Sequence, residues 1–254
     1  MKIQPLSAFY DNYIWMIINE ENKQVLCIDP GQAEPVIRFL DKEKLSLQAI
    51  LLTHHHNDHM GGVSELINLN PKLPVYGPYD KRIPEVDHSL KEPDYLKIDS
   101  YQFKIINTPG HTASHISYYE PNQGWLFCGD TLFSAGCGRV FDGTIEELHD
   151  SLQKLKNLPE NTQVFAAHEY TLKNLRFAAT VEPDNLTIYN YAQLLLAKSN
   201  TCSLPSSIAV EKEINPFFRT ETAGVKAFAK LKGSKSTDSL AVFKLIRAEK
   251  DNFN

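Results

Sequence analysis

The stretch Thr53-His54-His55-His56-Asn57-Asp58-His59-Met60-Gly61-Gly62 follows a short apolar segment at 49–52 and decides how the rest of the chain is interpreted. Four of the nine histidines fall within six positions here, together with an aspartate. Because side chains alternate in an extended chain, His54 and His56 point to the same side. A helix that begins near Asn57 turns Asp58 and His59 toward the same cavity. These donors are too many for one tetrahedral ion, so the segment predicts two adjacent metal ions.

Three further candidate ligands share one layout, in which the residue comes just after an apolar strand. His111 follows 103–106, Asp130 follows 125–128 and His168 follows 164–167. Rigid strands that deliver loop residues to one edge of a sheet are a common way to assemble a site. The alternative is a purely structural metal clip. Structural zinc sites are usually closed and rich in cysteine, and none of these positions is a cysteine, which favours a catalytic centre.

Composition indicates an ordinary globular protein. The 254 residues are 42% hydrophobic and carry a formal charge of −5, without the basic excess typical of a nucleic-acid-binding protein. The longest apolar run, at 13–18, is far shorter than the ~20 residues that span a bilayer, and the first residues lack the pattern of a secretory signal. Four widely spaced cysteines favour a reducing, cytoplasmic setting without a membrane partner.

Hydrophobic periodicity divides the chain into two parts. We predict strands at 12–18, 25–28, 49–52, 102–106, 115–119, 125–128 and 163–166, and helices at 33–41, 62–69 and 145–155. Further on, apolar residues recur every three positions over 186–195 and 240–246, with Ser236 or Asp238 as a cap for the second helix. Residues 1–170 carry 14 basic and 23 acidic side chains, whereas residues 171–254 carry 12 and 8. We therefore predict a layered α/β domain at 1–170 and a helical domain at 171–254.

Several motifs, in a fixed order, carry a family resemblance. The T-H-x-H-x-D-H run at 53–59, followed by T-P-G-H-T at 108–112, G-D-T-L-F at 129–133 and H-E-Y-T at 168–171, resembles the metallo-β-lactamase superfamily. The later segments 135–139 (A-G-C-G-R), 215–217 (N-P-F) and 247–251 (R-A-E-K-D) resemble the glyoxalase II, or hydroxyacylglutathione hydrolase, family. The resemblance covers nearly the whole chain. It implies an α/β fold in the form of an αββα sandwich with a small C-terminal helical domain.

The same resemblance implies a binuclear centre with two divalent ions. It places His54, His56 and His111 on one metal and Asp58, His59 and His168 on the other, with Asp130 and a water or hydroxide bridging them. Zinc is the first expectation, and iron or manganese suits the same nitrogen and oxygen donors. No side chain beyond these ligands is expected to act catalytically, because a metal-activated hydroxide serves as nucleophile at neutral pH. His115 resembles a residue that supports the ligands from behind.

The implied reaction is hydrolysis of S-(2-hydroxyacyl)glutathione, such as S-D-lactoylglutathione, to glutathione and a 2-hydroxy acid, the second step of methylglyoxal detoxification. Arg247 and Lys250 lie three apart on a predicted helix and hence on one face. The resemblance assigns five residues to substrate binding: Arg139, Phe141, Tyr170, Arg247 and Lys250. Two positions depart from the family pattern. Phe141 lacks the hydroxyl of a common tyrosine, and Ser114 stands where glycine is common.

Three other functions fit parts of the pattern. A persulfide dioxygenase resembles the first domain and uses a single iron, but it lacks the helical tail. Another hydrolase of the same fold, such as a β-lactamase, lactonase or nuclease, is the second alternative. Many β-lactamases have cysteine near the position of Asp130, and we find no nucleic-acid-binding elements. A metal-binding module without catalysis is the third. We expect a monomer that acts on a small glutathione thioester.

Overall fold

The computed structural model of the protein describes residues 2–198 and 202–253. The chain divides into two compact units. The first consists of Met1–Asn107 and Ser114–Gly129, and the second of Thr108–Ala113 and Asp130–Asn254. No helix in the described ranges is long and apolar enough to cross a membrane.

A sheet of six strands in chain order forms the base of the first unit. Its strands are β1 (Lys2–Ala8), β2 (Asn12–Asn19), β3 (Gln24–Ile28), β4 (Ser46–Leu51), β5 (Val75–Pro78) and β6 (His88–Leu90). The pairs β1–β2 and β2–β3 are antiparallel, and β3 to β6 are parallel. Parallel strands need crossover connections. Helix α1 (Ala33–Glu43) connects β3 to β4, and α2 (Asn57–Met60) with α3 (Val63–Leu69) connects β4 to β5.

Both faces of this sheet are covered. Ile14 and Met16 of β2 belong to a hydrophobic cluster that includes Val36 of α1 and Leu66 of α3. Trp15 lies between them in sequence and is equally buried. Because successive side chains in a strand alternate, Trp15 lies on the opposite face. A strand that is apolar on both sides is typical of a sheet between two other layers.

The second sheet of this unit supplies the layer next to that opposite face. Strands β7 (Tyr95–Ile98), β8 (Tyr101–Asn107), β9 (Ile116–Glu120) and β10 (Trp125–Gly129) pair antiparallel in chain order. Tyr118 of β9 is fully buried, and its hydroxyl donates to the carbonyl of Leu52 over 2.8 Å. The bond links the second sheet to the end of β4, where the histidine-rich loop begins.

The second unit is mainly helical. Its strands form two antiparallel pairs, β11 (Leu132–Phe133) with β12 (Gly136–Cys137) and β13 (Gln163–Ala166) with β14 (Ser206–Ser207). Its helices are α4 (Ile145–Lys156), α5 (Thr171–Val181), α6 (Leu186–Ala197), α7 (Ile208–Ile214), α8 (Ala223–Leu231) and α9 (Ser239–Asp251). Thr144 and Glu147 form a capping box that starts α4.

Every strand and helix predicted from the sequence is confirmed, and Asp238 is the cap of α9. The predicted elements do not include β1, β5 to β7, the short strands β11, β12 and β14, or the helices α5, α7 and α8 of the second unit. Strand β1 is weakly patterned because it is a sheet edge, where Pro5 is tolerated and most side chains stay partly exposed. Helix α6 exists, but Leu186 and Tyr189 are 71% and 60% exposed, and Ile188 is its buried residue.

Candidate metal centre

The histidine-rich loop has the shape that its sequence predicts. The chain runs extended after β4 and enters α2 at Asn57, with an extended His56 before it. His54 and His59 are fully buried. The Nε2 atom of His54 lies 3.1 Å from Nδ1 of His56, so alternation brings these two rings together. Helix α2 also brings Oδ2 of Asp58 within 3.5 Å of Nε2 of His59.

Asp29 fixes the ring orientation of two of these histidines. Its carboxylate accepts hydrogen bonds from the Thr53 amide at 2.8 Å and the Thr53 hydroxyl at 2.7 Å, and it lies 3.0 Å from Nδ1 of His59. Since the Thr53 hydroxyl donates to Asp29, its oxygen accepts from Nδ1 of His54 at 3.0 Å. Both histidines then carry the proton on Nδ1 and the lone pair on Nε2. Such outer hydrogen bonds are how proteins set the tautomer of a metal-binding histidine.

The Asp58 carboxylate is also oriented from behind. The side-chain amide of the buried Asn12, at the start of β2, donates to Oδ2 of Asp58 over 2.9 Å. Gly31 allows this segment to come close, because a Cβ there would lie 1.9 Å from the backbone oxygen of Asp58. The position of Asp58 therefore depends on the start of β2 and on the loop between β3 and α1.

His115 packs against His54, one of the candidate metal ligands. It is 1% exposed, and its ring stacks on that of His54 with centroids 4.8 Å apart. Gly129, at a φ of +47°, leaves space for this stack, since a Cβ there would lie 2.8 Å from Nε2 of His115 and 2.5 Å from the Thr53 hydroxyl. The structure thus places His115 where it supports the histidine-rich loop.

The second unit contributes a separate group of three candidate ligands. Asp130 is 7% exposed, and each of its two carboxylate oxygens faces a different histidine. Oδ2 lies 3.4 Å from Nε2 of His111, and Oδ1 lies 3.4 Å from Nε2 of His168. The Nδ1–H of His111 donates to the Arg139 carbonyl over 2.7 Å, so Nε2 carries the lone pair. This arrangement suits a carboxylate that bridges two ions.

The donor set of each unit fits divalent metal ions. Two ligands about 2.1 Å from one tetrahedral ion are about 3.4 Å apart, which matches the separation of Asp130 from His111 and from His168. In the first unit, potential ligand atoms of His54 and His59 lie within 4.8 Å of one another, and Asp29, which orients both rings, is buried beside them. All the donors are imidazole nitrogens or carboxylate oxygens, a set that suits zinc, iron and manganese.

Two of the predicted substrate-binding cations, Arg247 and Lys250, lie at the end of α9, and the third, Arg139, follows β12. Arg247 is 5% exposed; its guanidinium donates to the Cys137 carbonyl at 2.9 Å and to Asp251 at 2.9 Å. Nζ of Lys250 is buried and has no hydrogen-bond partner among the described residues. Burial, followed by the charge of Arg247, lowers the pKa of Lys250 from 10.5 to about 8. Nε of Arg139 lies 3.2 Å from the Asp251 carboxylate. The structure therefore brings Arg139, Arg247 and Lys250 together.

The two predicted aromatic residues lie against the ligands of the second unit. The ring of Tyr170 stacks on that of His168, with centroids 4.7 Å apart and planes 8° apart. Phe141 is 65% exposed and sits edge-on to His111 at 5.1 Å. An exposed aromatic ring beside a candidate metal ligand is well placed to contact a substrate.

Two of the cysteines, Cys27 and Cys137, are poor candidates for a nucleophile. Cys137 is buried, and the desolvation of its thiolate outweighs the opposing effect of Arg247, which raises its pKa to about 11. Burial also raises the pKa of the Cys27 thiol. Both stay protonated at neutral pH, and a protonated thiol is a poor nucleophile.

Three residues that contact the candidate site residues were not predicted from the sequence: Asn12, Asp29 and Asp251. The signal for Asp29 was present, because Asp29-Pro30-Gly31 follows strand β3 in the same strand-then-acid pattern that identified Asp130. Asn12 and Asp251 have no comparable pattern. Their roles depend on which strand or helix lies beside them.

Comparison with known proteins covers the entire chain. Residues 10–168 match the family profile of the metallo-β-lactamase superfamily, and residues 169–253 match the profile described as the hydroxyacylglutathione hydrolase C-terminus. A hydroxyacylglutathione hydrolase of Legionella pneumophila is 56% identical over 253 residues, with all of both chains covered. The hydroxyacylglutathione hydrolase of Vibrio cholerae is 44% identical, again over all of both chains.

Solved structures support the same fold. The crystal structure of ETHE1 from Myxococcus xanthus superposes with a TM-score of 0.67 at 23% identity and covers all of both chains. The BLEG-1 B3 metallo-β-lactamase superposes with a TM-score of 0.66 at 25% identity, covering 85% of this chain and 99% of its own. The chain has the metallo-β-lactamase α/β sandwich with a C-terminal helical domain.

Proposed function

The chain belongs to the hydroxyacylglutathione hydrolase family of the metallo-β-lactamase superfamily, and we propose how its residues carry out that hydrolysis. It is a thioester hydrolase that cleaves hydroxyacylglutathione. The observation that carries this function is the match of residues 169–253 to the family's own C-terminal profile, in addition to the superfamily match of residues 10–168. We take S-D-lactoylglutathione as the representative substrate, with glutathione and D-lactate as products.

In this proposal seven histidine and aspartate side chains would hold two divalent ions. His54, His56 and His111 would hold one ion, and Asp58, His59 and His168 would hold the other. Asp130 would be shared between the two ions, which is supported by the way its two oxygens face His111 and His168 separately. Zinc is the expected metal, with iron or manganese compatible with the same donors.

The bound ions supply Lewis acidity and lower the pKa of water so that it reacts at neutral pH. The residues of the chain prepare this chemistry. Asp29, Thr53 and Asn12 hold the ligands in one orientation before any metal arrives. With two dications bound, Asp58 and Asp130 would neutralise only part of the added charge, and the positive charge that remains would favour negative charge on the thioester carbonyl oxygen.

Departure of the thiol requires no strong acid from the protein. A cysteine-type thiol such as that of glutathione has a pKa of about 8.5 and leaves readily as the thiolate. This agrees with the buried, protonated state of Cys27 and Cys137, which leaves neither available as a nucleophile. The protein's contribution to the cleavage step is therefore orientation and charge.

In this proposal, the cations of α9 bind the glutathione portion of the substrate. Arg247 and Lys250 bind a carboxylate of glutathione, and Arg139 adds a third cation at the surface. Tyr170 and Phe141 line the approach beside His168 and His111. Phe141 offers apolar contact in place of the hydrogen bond that a tyrosine would donate. We propose that residues 1–170 form the catalytic domain and residues 171–254 the substrate-binding domain. We also propose that the protein is a monomer.

The direct test follows thioester absorbance with the purified, zinc-loaded protein and S-D-lactoylglutathione. We expect glutathione and D-lactate in equal amounts, and loss of turnover in His54→Ala and Asp130→Asn variants. His88→Ala is a matched control, because His88 is a surface residue on β6 that lacks a ligand role. No turnover by the fully metallated protein would refute the proposal. Oxygen consumption with a single bound iron would identify a persulfide dioxygenase instead.

A further inference from the structure

The last turn of α9 contains two carboxylates, and one of them, Asp251, contacts the predicted substrate-binding arginines. Oδ1 of Asp251 lies 2.9 Å from a terminal nitrogen of Arg247 and 3.2 Å from Nε of Arg139. Lys250 lies beside them, and the charges of Arg139, Arg247 and Lys173 all act to lower its pKa. A single carboxylate oxygen therefore joins two arginines within a group of cations that has an excess of positive charge.

The position of Asp251 is unfavourable for the helix itself. It is the last residue of α9, where the helix macrodipole places partial negative charge. An acidic residue there gains nothing from the helix end, so its stabilising contacts are the two arginines. Its side chain is 42% exposed, compared with 6% for Arg247. Asp251 can thus turn away into solvent while Arg247 stays in place.

Arg247 is fixed independently of Asp251. Its other terminal nitrogen donates to the Cys137 carbonyl at 2.9 Å, and its guanidinium lies 5.2 Å from the centre of the Phe217 ring. Its remaining terminal nitrogen donates to Asp251, whose side chain is partly exposed. An incoming carboxylate that binds Arg247 has to displace or share this partner.

We propose that Asp251 is an internal carboxylate that occupies Arg139 and Arg247 in the substrate-free protein and competes with the carboxylate of the substrate for them. The inference rests on the proposed glutathione-binding role of this cluster. Asp251 is then a residue that sets affinity: it keeps the arginines oriented when no ligand is present and limits how tightly the glutathione product is held. Release of product is faster as a result.

The test compares Asp251→Asn with the wild-type protein by calorimetric titration of glutathione, using metal-loaded enzyme at low ionic strength. Removing the competing charge should tighten glutathione binding by about fivefold, since a partly exposed ion pair changes an equilibrium by factors up to about this size. KM for the thioester should fall by a similar factor while kcat does not rise, because product is retained longer. Asp251→Glu should restore wild-type affinity.

Glu249→Gln is the matched control. It removes the same charge from the same helix, but Glu249 pairs with Lys232 rather than with the arginines. Unchanged or weaker glutathione binding by folded Asp251→Asn would overturn the inference, as would equal tightening in the Glu249 variant. If the asparagine variant fails to fold, Asp251→Ser provides the same comparison. A wild-type protein without thioesterase activity would instead refute the proposed function, so the two failures are distinguishable.

Discussion

Asp29 is the residue on which the orientation of the candidate metal ligands of the first unit depends most. It accepts two hydrogen bonds from Thr53 and contacts His59, and an asparagine has only one acceptor oxygen for these donors. We predict that Asp29→Asn weakens zinc binding by about 10- to 100-fold, the usual cost of losing such a support. Competition against a chromophoric chelator measures the change directly.

The matched control for Asp29 is Asp99→Asn. Both aspartates adopt a left-handed backbone conformation, with φ of 52° and 51°, which asparagine also tolerates. Asp99 lies in the turn between β7 and β8 and accepts a bond from Asn22. Equal zinc affinity in Asp29→Asn and Asp99→Asn would contradict the role that we give Asp29.

Lys250 gives a second prediction at this scale, on stability. Its buried ammonium costs folding energy, and its folded pKa of about 8 lies below the 10.5 of an exposed lysine. Between these values the unfolded chain binds more protons, so stability rises with pH; the cost is fully present below pH 8. Lys250→Met should therefore stabilise the protein by about 1 kcal/mol at pH 7, after allowance for solvent screening.

Urea denaturation at pH 7 and pH 10 tests this prediction. The advantage of the Lys250→Met variant should shrink at pH 10, while its KM for the thioester should rise at neutral pH. Lys230→Met is the control, because Lys230 is exposed near the end of α8. If Lys250→Met is less stable than the wild-type protein at pH 7, favourable contacts of the ammonium outweigh the cost of burying it, and the prediction is wrong.

Between elements, Ser114 acts as a link that glycine could not supply. Its hydroxyl donates over 2.6 Å to Asp80, which lies in the segment after β5, and Ser114 itself lies just before β9. Arg82 also binds both oxygens of Asp80. The pKa of Asp80 lies far below its ordinary value, mainly because Arg82 donates hydrogen bonds to its carboxylate. The hydrogen bond from Ser114 lowers this pKa further, and the two together outweigh the opposing effect of burial. The departure from the family's glycine therefore joins two loops of the first unit.

We predict that Ser114→Ala lowers the free energy of unfolding by about 2 kcal/mol, the value of a hydrogen bond to a buried charge. Ser114→Gly should cost somewhat more, because it also increases the freedom of the unfolded chain. The Asp80 contribution persists above pH 3.8 and is lost only as pH falls through the depressed pKa. Denaturant melts at pH 7 measure both variants; equal stability of all three proteins would refute the link.

Elements with a strong local sequence pattern could be predicted from the sequence. The buried strands β2, β4 and β10 and the long helices α1 and α4 have clear periodicity, and all were predicted. Contacts between distant segments were not predictable. Ile28 pairs with Leu51 in the parallel pair of β3 and β4, and only this pairing brings Asp29 beside Thr53. Asp251 meets Arg139 for a similar reason, since 112 residues of chain separate them.

At the scale of the whole molecule, charge and metal binding are coupled. Residues 1–170 have nine more acidic than basic side chains, and residues 171–254 have four more basic than acidic ones. Two bound dications would offset part of the acidic excess around the ligands, and the basic tail would favour an anionic substrate. Asp58 and Asp130 are two of the acidic side chains in the first of these ranges, and Arg247 and Lys250 are two of the basic ones in the second.

Metal removal should consequently destabilise the protein without abolishing its fold. An ion at about 1,000 times its dissociation constant stabilises the folded state by about 4 kcal/mol, which corresponds to roughly 10 °C in Tm for a chain of this size. We expect chelation to lower Tm by this amount and zinc to restore it. The far-ultraviolet circular dichroism should persist, because the cluster of Ile14, Met16, Val36 and Leu66 is independent of the ligands.

His54→Ala provides the decisive comparison for this coupling. The variant should melt near the temperature of the chelated protein and should gain little on addition of zinc, because one of the proposed ligands is gone. Lys250→Met should keep the full zinc-dependent shift, since it lies outside the ligand set. A zinc-dependent shift of normal size in His54→Ala would mean that the stabilising ions bind elsewhere, and the ligand assignment would fail with it.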